Sequence, residues 1–480
     1  MVRVNVRLKV LLLSSIVIGV AGSLINLNGC GGAVSNNNPP PPGNGKINHV
    51  VVIFQENRTT DNLFGGDTKL ISQGADIASS GKNSAGQTIP LTPGPLVTPF
   101  DLDHSHHSFL AEWDKGAMDG ADLVKVNCPD GNPNCAPPCP VQPNPPCPQF
   151  EFVNPSDVQP YFKMAETYTF GDHMFQTNQG PSFPAHQYII SGTSAVSEKS
   201  IFDVSENPTN IDQQPTGCIA PPGATVKIID TTDPNPLTNE TQTTYPCLEH
   251  PTLTDLLNGK SISWKYYTPV VGSIWTAPNA IKHMCGSNGT DCKGADWTNH
   301  VVIGEKQVLN DIHNGQLPAV SWVIPTNAES DHAKGNDGSG PSWVASVVNA
   351  IGTSQYWKDT AIIITWDDWG GWYDHVPPPA IHNSYEYGLR VPLIVVSPYA
   401  RAGFISHATH DFGSVLKFIE KTFSLPEVDP AVGYADSRAD DLSDCFDLNQ
   451  TPLTFTPIPA PLNAQYFLND KSAPEGPDDD

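Results

Sequence analysis

Two adjacent carboxylates, Asp367 and Asp368, follow a run of apolar and β-branched residues in the stretch ITWDDWGGWYDHV. Glu56 and Asn57 follow a second apolar run, NHVVVIF. Like charges in one place are unfavourable unless something cationic lies between them. Oxygen donors with no cysteine nearby favour a hard cation, such as Ca²⁺, Mg²⁺ or Mn²⁺. A divalent cation is therefore one interpretation, and the other is that Glu56 and Asp368 pair with Arg58 or cap helices.

Ser182 is a candidate nucleophile, because it stands between two prolines and just after a Gly-Pro pair in GPSFP. Such a turn can lift the hydroxyl clear of the backbone, and we expect a helix to begin near Pro184. A serine hydroxyl that touches a divalent cation loses its proton more easily. The alternative is a serine that only helps the chain to turn. The stretch is not a G-x-S-x-G elbow, so the sequence does not indicate a Ser-His-Asp acyl-transfer site.

Four histidines are the remaining candidates for chemistry. His104 lies in DLDHSHH, His283 in AIKH, His332 in ESDH and His375 in YDHV. A lone histidine is more often a surface or core residue than a catalyst. Where the rings cluster beside Asp, they are better candidates for binding an oxyanion or protonating a leaving group.

The elements that position these residues are predicted from the apolar runs. The runs are apolar throughout, which is typical of strands buried on both faces. Helical patterns lie between and around them, so we predict an α/β fold with a central, mostly parallel sheet flanked by helices. In such sheets, ligands bind beyond the carboxyl ends of the strands, where the candidate residues lie. The predicted strands are 48–54, 360–365 and 391–396, the predicted helices include 343–351 and 412–423, and residues 120–150 and 205–250 are expected to be loop-rich insertions.

The N-terminal segment is a targeting sequence and is excluded from the predicted fold. Arg3, Arg7 and Lys9 precede an uncharged, mostly apolar stretch that ends in LNGC, at Cys30. We expect a signal peptide of the lipoprotein type over residues 1–29, so that Cys30 would carry a lipid anchor to the membrane. Ordinary cleavage and an uncleaved membrane anchor are the alternatives. All three export the protein, to the cell envelope or to the periplasmic or extracellular space.

The rest of the chain divides into three segments. Residues 30–45 are rich in Pro, Gly and Asn and are expected to form a flexible tether. Residues 46–470 are predicted to form a single domain. Residues 471–480 end in PEGPDDD and are expected to form an acidic mobile tail.

The balance of charge limits the partners. The chain has 480 residues and a formal net charge of −25, from 25 Lys and Arg against 50 Asp and Glu. This acidity disfavours nucleic acid and anionic membrane surfaces, so we predict no nucleic-acid binding. It does not exclude a phosphate substrate, because a bound cation can make the site locally positive despite the negative net charge of the chain.

Cysteine usage agrees with export. Of the ten cysteines, nine lie beyond Cys30, mostly in loops rich in Pro, Gly and Asn that disulfides would restrain. The local pairs Cys218–Cys247 and Cys285–Cys292 are consistent with the spacing, although connectivity cannot be derived from sequence. Because nine is odd, we expect one free thiol. A zinc site in CPDGNPNCAPPCP is a weaker alternative, since no histidine lies nearby.

Five motifs together resemble the bacterial phosphoesterase family, which contains phospholipases C and acid phosphatases. In chain order they are ENR at 56–58, DLDHSHH with EWDKGAMDG, GPS at 180–182, ESDH at 329–332 and DDWGGWYDHV at 367–376. The resemblance runs from about residue 48 to about residue 423 and implies an alkaline-phosphatase-like catalytic domain.

The resemblance implies roles for the acidic residues and the serine by position. Glu56, Asn57, Asp367 and Asp368 match the family's metal ligands. Ser182 matches the nucleophile, which also approaches the metal. One divalent cation, Ca²⁺, Mg²⁺ or Mn²⁺, is therefore expected to be held by these five side chains.

The histidines match the family less evenly. His104 and His332 match phosphate-contacting residues, and His283 is aligned with a third where loop lengths differ. His375 lies in a characteristic motif with a supporting role. Many family members carry Asn-Arg after the proline that follows the nucleophile, whereas this chain has Ala185 and His186. The lost arginine could change which headgroup or phosphate is held.

The implied reaction is hydrolysis of a phosphate ester or a phospholipid through a phospho-serine intermediate. Because charged histidine binds phosphate better, we expect an optimum at mildly acidic pH. The sequence ends soon after the resemblance does, so a general phosphomonoesterase or phosphodiesterase is expected more than membrane lysis. Alternatives are a lipid-specific phospholipase C and, from another class, a non-catalytic metal-containing surface binding protein.

Overall fold

An eight-stranded mixed sheet forms the centre of the computed structural model, which describes residues 45–129, 135, 147–211, 215–379 and 383–476. Its spatial order is β4-β3-β5-β1-β6-β7-β2-β8. All neighbours in the sheet run parallel except that β7 is antiparallel to both β6 and β2. In chain order the strands are β1 His49–Gln55, β2 Thr169–Gly171, β3 Trp264–Thr268, β4 Val301–Ile303, β5 Val320–Val323, β6 Thr360–Trp366, β7 Leu393–Val396 and β8 Phe404–Ser406.

The central strands are buried on both faces, as the continuous apolar runs predict. Every residue of β6, and every residue of β1 after His49, is buried. Strands β1 and β6 are adjacent, and Gln55 lies opposite Trp366 at their carboxyl ends. The predicted α/β fold with a central, mostly parallel sheet is therefore confirmed, and the strands begin or end within two residues of the predicted bounds.

Helices cover both faces of the sheet. In chain order they are α1 Thr60–Phe64, α2 Thr68–Ser72, α3 His106–Trp113, α4 Gln159–Thr167, α5 Ser182–Ser191, α6 Leu253–Gly259, α7 Ala277–Ala280, α8 Lys282–Cys285, α9 Ala295–His300, α10 Gln307–His313, α11 Gly340–Gly352, α12 Phe412–Phe423, α13 Ala435–Arg438 and α14 Ala464–Asn469. Short 3₁₀ turns lie at Asp114–Gly116, Ala121–Leu123, Pro148–Phe150, Gly217–Ile219, Trp357–Asp359 and Ser443–Cys445. Helix α12 has its predicted bounds, and α11 extends the predicted helix by a few residues.

Aromatic contacts show how the two helix layers meet the sheet. On one face, Phe54 of β1 lies 5.6 Å from Phe412 of α12, measured between ring centroids. On the opposite face, Trp366 of β6 lies 5.1 Å from Tyr161 of α4. Because successive side chains of a strand point to opposite faces, the two contacts place α12 on one face of the sheet and α4 on the other.

One predicted insertion is more ordered than expected. Two of the strands within 205–250 form a small antiparallel sheet with a strand that precedes them, so the interpretation of this segment as irregular loop was wrong in part. Its Pro- and Asn-rich turns hid short strands that alternate only over three to five residues. The smaller sheets comprise Phe202–Val204 with Val226–Asp230 and Gln242–Thr244, Ser80–Lys82 with Thr88–Pro90, Thr92–Gly94 with Glu151–Val153, and Asp101–Leu102 with Val126–Asn127.

Disulfides restrain the loops that carry them. Cys218 pairs with Cys247 and Cys285 with Cys292, as predicted. A further disulfide joins Cys128 to Cys135, within the segment considered for zinc. Cys445 is a buried free thiol, which agrees with the odd count. Such cross-links are typical of proteins that fold outside the reducing cytoplasm.

The terminal segments are described only in part. The predicted signal peptide, Cys30 and the tether as far as residue 44 lie outside the described residues, as do residues 477–480. The first half of the predicted tail contacts the domain, because the Glu475 carbonyl accepts a hydrogen bond from the Asn327 amide at 3.2 Å. Within the described ranges, no helix has both the length and the apolar character needed to cross a membrane.

Candidate active site

The loops after β1 and β6 bring the predicted acidic residues together. Because the two strands are parallel and in register, their next residues emerge side by side at one edge of the sheet. The Asn57 amide donates to Asp367 Oδ1 at 3.0 Å, and the Asp367 amide donates to the Gln55 carbonyl at 2.9 Å. Glu56, Asn57, Asp367 and Asp368 are all fully buried.

Two special backbone positions allow this close approach. Asn57 has a φ of 63°, a left-handed conformation that asparagine tolerates better than most residues. Gly370 also has a φ of 63°, and a Cβ added there would lie 2.3 Å from the Asn57 carbonyl oxygen. The glycine after the Asp-Asp pair is therefore required for one loop to pass against the other.

Ser182 is the first residue of helix α5 and faces the same cluster. The extended backbone of Pro181 precedes it, and Pro184 lies in the first turn, where proline is tolerated. The helix therefore begins two residues earlier than expected. The Ser182 hydroxyl donates to Asp368 Oδ2 at 3.3 Å. The structure thus joins the predicted nucleophile to the predicted metal ligands across 186 residues of sequence.

The donor set fits a hard cation. Glu56 Oε1, Asn57 Oδ1 and Asp367 Oδ2 are buried and accept no hydrogen bond from any part of the chain that the structure describes. An orphaned buried oxygen is costly, and three of them in one cluster are the ligands that a divalent cation would satisfy.

Electrostatics support the same conclusion. Burial, with the neighbouring Asp367 carboxylate, raises the pKa of Glu56 well above its ordinary value. Burial and Asp367 also raise the pKa of Asp368 to about 8, against the opposing influence of His104 and His332. The chain itself therefore leaves this cluster short of positive charge.

Arg58 is not the missing counterion. Its guanidinium turns away from the cluster and donates to the carbonyls of Asp331 at 2.8 Å and Leu96 at 3.0 Å. A third donor reaches the Asn62 side chain at 3.2 Å, and the group lies over the ring of Trp372. The alternative in which Arg58 pairs with Glu56 or Asp368 does not describe this fold.

Two of the predicted histidines border the cluster. His104 Nδ1 donates to the Leu102 carbonyl at 2.8 Å, so in the neutral ring Nε2 accepts from Asn57 Nδ2 at 3.1 Å. This contact uses the amide nitrogen of Asn57 and leaves its side-chain oxygen without a partner among the described residues. The ring of His332 lies 5.8 Å from that of His104, and its Nδ1 is held by the Ala333 carbonyl at 2.6 Å.

The other two predicted histidines lie in different groups. His283 contacts Glu249 at 2.9 Å and Asp255 at 3.4 Å in a partly exposed cluster, and the structure does not bring it to Ser182. His283 was matched to the family across loops whose lengths differ, and in such a region the position of a residue in the sequence is a poor guide to its position in the fold. His375 contacts Asp61 at 2.7 Å and Asp76 at 3.0 Å, consistent with its expected supporting role.

His186 is the site residue that the sequence reasoning missed. It lies four residues after Ser182, on the same face of α5, and is fully buried. Its Nε2 lies 3.4 Å from Glu56 Oε1 and 3.8 Å from Asp367 Oδ2. Burial lowers the pKa of His186 to about 4. The four-residue spacing from Ser182 was the signal that could have found it.

A cavity lies beside two neighbours of the cluster, His104 and Pro181. It has a volume of about 310 Å³ and is lined by residues that include Asp103, His104, Pro181 and Glu206. Pro181 directly precedes the candidate nucleophile, and His104 borders the metal-ligand set. The cavity therefore has room for a substrate group beside Ser182.

Comparison with known proteins identifies the class. Residues 47–426 match the model of the Phosphoesterase family. Phospholipase C B of Mycobacterium tuberculosis is 26% identical over 460 residues, covering 85% of this chain and 78% of that protein. Non-hemolytic phospholipase C of Burkholderia pseudomallei is 23% identical over 448 residues, covering 79% of this chain and 55% of that protein. The solved structure of a Vibrio parahaemolyticus protein in the alkaline phosphatase superfamily matches with a TM-score of 0.36 and 10% identity, covering 84% of this chain and 72% of that chain.

The chain belongs to the Phosphoesterase family, and the resemblance that its motifs indicate is confirmed. It is a hydrolase that acts on phosphoric ester bonds. The matched residues enclose every candidate ligand and the candidate nucleophile. This membership favours the enzymatic interpretation over a non-catalytic binding protein.

Proposed function

We propose that this protein is a phospholipase C-type enzyme that cleaves phosphate esters through a phospho-serine intermediate on Ser182. One observation carries the proposal: the Ser182 hydroxyl lies 3.3 Å from Asp368 Oδ2, in a cluster where one side-chain oxygen each of Glu56, Asn57 and Asp367 lacks a partner among the described residues. The names of the phospholipase C relatives support a phospholipid substrate. A soluble phosphate ester would undergo the same displacement of an alkoxide from phosphorus.

The cation-binding residues in this proposal are Glu56, Asn57, Ser182, Asp367 and Asp368. A divalent cation held there, Ca²⁺, Mg²⁺ or Mn²⁺, would lower the pKa of the Ser182 hydroxyl and offset negative charge on the phosphate. The three orphaned oxygens of Glu56, Asn57 and Asp367 support this donor set.

The protein side chains account for the bonds and protons of the reaction. Ser182 Oγ forms a bond to phosphorus, and its proton passes to Asp368, which already accepts its hydrogen bond. The bond from phosphorus to the leaving alkoxide breaks, and His104 or His332, in its charged form, donates a proton to that oxygen. Water then attacks the phospho-serine with the same histidine as base, and Asp368 returns the proton to Ser182.

The test replaces Ser182 by alanine. We expect hydrolysis of phosphatidylcholine and of p-nitrophenyl phosphate to fall at least about a thousandfold, with thermal stability retained. Ser191→Ala is the matched control, because Ser191 is buried in the same helix and, among the described residues, its hydroxyl bonds only to the Gln187 carbonyl, at 2.8 Å. Equal activity of Ser182→Ala and wild type would end the phospho-serine proposal.

The same samples define the substrate and the cofactor. Release of diacylglycerol from phosphatidylcholine at a higher kcat/KM than release of p-nitrophenol from p-nitrophenyl phosphate would support the phospholipase C assignment. Metal analysis of the purified protein would show whether a divalent cation is present. A kcat/KM that keeps rising above about pH 8 would contradict the expected role of charged histidines.

We also propose export, with Cys30 as a lipid anchor. The disulfides support an oxidising compartment, and a lipid at Cys30 would hold the catalytic domain near its phospholipid substrate. Mass spectrometry of the mature N-terminus tests this. An unmodified N-terminus at another residue would contradict it.

A further inference from the structure

Helix α5 presents two side chains to the acidic cluster, not one. Ser182 and His186 are four residues apart, so they lie on one face of the helix, one turn from each other. Ser182 reaches Asp368, whereas His186 reaches the two carboxylates on the other side of the cluster. The nitrogen that faces them is Nε2.

We propose that His186 Nε2 is a direct ligand of the divalent cation, together with Glu56 and Asp367. This inference rests on the cation site of the proposed function. It adds a nitrogen donor to a set that otherwise contains only oxygen. The substitution of His186 for the arginine common in the family would therefore change the metal that the site prefers.

The distances between donor atoms fit a shared ion. Two atoms that bind one cation at about 2.1 to 2.3 Å, with angles of about 90° to 110°, lie roughly 3.0 to 3.8 Å apart. His186 Nε2 lies 3.4 Å from Glu56 Oε1 and 3.8 Å from Asp367 Oδ2. Both oxygens lack a hydrogen-bond partner among the described residues. His186 Nε2 also contacts Glu56 Oε2 at 3.5 Å, the outer limit of a hydrogen bond. All three separations are longer than an ordinary charge-assisted hydrogen bond and match ligands of one ion.

Packing holds the ring in this orientation. The His186 imidazole stacks on Trp275 with 6.4 Å between ring centroids and 19° between ring planes. Phe54 of β1 lies 6.1 Å away on another side. The ring is fully buried between these aromatic groups, so its Nε2 is directed at the carboxylates without help from solvent.

A nitrogen ligand has a consequence for metal choice. Ca²⁺ and Mg²⁺ prefer sites made of oxygen alone, whereas imidazole suits the transition metals. Of the three cations considered from sequence, Mn²⁺ is the one that accepts both carboxylate and imidazole. We therefore expect the site to bind Mn²⁺, and Co²⁺ as a spectroscopic probe, more tightly than Mg²⁺ or Ca²⁺.

The variant His186→Gln tests the role of the nitrogen. Calorimetric titration of the chelated full-length protein should show Mn²⁺ affinity reduced by more than about 100-fold, while Mg²⁺ and Ca²⁺ affinities change less than about tenfold. Loss of a group that only orients a ligand costs about 10- to 100-fold. Similar losses for all three cations, or none for Mn²⁺, would overturn the inference.

His250→Gln is the matched control. His250 is also buried, and burial lowers its pKa to about 4. One ring nitrogen of each histidine lacks a partner among the described residues, Nε2 in His250 and Nδ1 in His186. The ring nitrogen Nδ1 of His250 contacts only the Pro251 carbonyl at 3.1 Å in the described contacts. This control should lose thermal stability to a similar degree and keep wild-type Mn²⁺ affinity.

A spectroscopic measurement separates direct ligation from positioning. Electron spin-echo modulation of the Mn²⁺-loaded wild type should show a coordinated nitrogen, and the signal should vanish in His186→Gln. A signal that persists in the variant, or is absent from the loaded wild type, would overturn the inference while leaving the cation site intact. Failure of wild type to bind any of the three cations would instead overturn the proposed function on which it rests.

Discussion

Two groups of buried carboxylates lie in the loops after β1 and β6, and they are neutralised in different ways. The open cluster consists of Glu56, Asp367 and Asp368, with Ser182 and His186 against it. The Arg390 cluster consists of Asp61, Asp374, His375 and Arg390. Each cluster takes one carboxylate or more from each of the two loops, so the same pair of strands supplies both.

In the Arg390 cluster the chain supplies its own cation. Arg390 donates to Asp374 Oδ1 at 2.8 Å, to Asp374 Oδ2 at 3.1 Å and to Asp61 Oδ1 at 3.2 Å. Its remaining donors reach the carbonyls of Asp76 at 2.8 Å and Asp172 at 2.7 Å. None of the Asp61 or Asp374 oxygens is orphaned within the described chain.

The two clusters differ in how the fold shifts the pKa of their carboxylates, and this difference indicates a structural role for one and a functional role for the other. Although burial opposes it, the His375 hydrogen bond and the Arg390 charge lower the pKa of Asp61. In the open cluster, burial and Asp367 raise the pKa of Glu56. A cluster that is complete within the fold holds the loops together, whereas one that lacks charge is prepared for an ion from outside.

Removal of the internal cation should have the largest effect. Arg390→Met removes the guanidinium that pairs with both Asp374 and Asp61 and leaves only His375 beside them, so we expect the free energy of unfolding to fall by about 3 to 5 kcal/mol. Urea unfolding measures this. If the variant does not fold, Arg390→Lys keeps the charge without the forked geometry and should show an intermediate loss. Unchanged stability in Arg390→Met would show that the cluster is not the structural support that the contacts indicate.

Matched amide substitutions should then separate the two clusters. Asp61→Asn removes an ionised, fully paired carboxylate and should cost about 3 kcal/mol of unfolding free energy. Glu56→Gln in chelated protein should cost less than about 0.5 kcal/mol, because Glu56 Oε1 has no hydrogen-bond partner among the described residues and the raised pKa of Glu56 favours the uncharged carboxyl that the amide mimics. Urea unfolding in EDTA gives both values, and equal losses would remove the distinction drawn between the clusters.

The difference between the two variants should disappear when a cation is added. A ligand that binds only the folded state at a hundredfold excess over its Kd stabilises it by about 2.7 kcal/mol. Wild type and Asp61→Asn should gain this stabilisation from Mn²⁺, whereas Glu56→Gln should gain little. Full stabilisation of Glu56→Gln would exclude Glu56 as a ligand.

The glycine that borders the open cluster should give a smaller effect. Gly370→Ala would add a Cβ 2.3 Å from the Asn57 carbonyl oxygen, so we expect a loss of about 2 kcal/mol together with weakened cation binding. Gly403→Ala is the control, since Gly403 has a similar φ of 59° and its nearest neighbour would be 3.6 Å away. It should cost only about 1 kcal/mol, the strain of the left-handed backbone. Equal losses would show that the contact with Asn57 is unimportant.

The sequence predicted most of the fold because the central strands are unusually uniform. Strand β6 is buried along its whole length, and β1 is buried after His49. Each therefore appears in the sequence as a continuous apolar run, followed directly by candidate site residues. Strand β7 was predicted, but its antiparallel direction was not. The direction of a strand depends on the path of the chain before it and does not affect the apolar run from which the strand was predicted. The short strands within 205–250 were too brief to show a period.

The site was predictable where motifs are contiguous and less so where they depend on tertiary structure. Glu56, Asp367 and Ser182 come together as expected, although they are far apart in sequence. His283 was placed by alignment across variable loops and lies in a different cluster. His186 was noted only as a departure from the family, because its direction depends on where α5 begins, two residues earlier than expected.

The pH dependence of the Arg390 cluster should show the smallest effect. Burial disfavours the charged His375 ring, but the hydrogen bond and charge of Asp61, with Asp374, outweigh it and raise its pKa from 6.5 to about 9. The folded state therefore binds this proton more tightly than the unfolded chain. The resulting stability is complete below about pH 6.5 and is lost as the pH rises through about 9.

His375→Gln isolates this contribution. The difference in unfolding free energy between wild type and the variant should be on the order of 1 to 2 kcal/mol larger at pH 6 than at pH 9.5. Urea unfolding at a series of pH values in EDTA measures it without interference from a bound cation. Other titrating groups are common to both proteins and cancel in the difference. A difference that grew with pH would mean that His375 is neutral in the folded state, and the cluster would then depend on Arg390 alone for its positive charge.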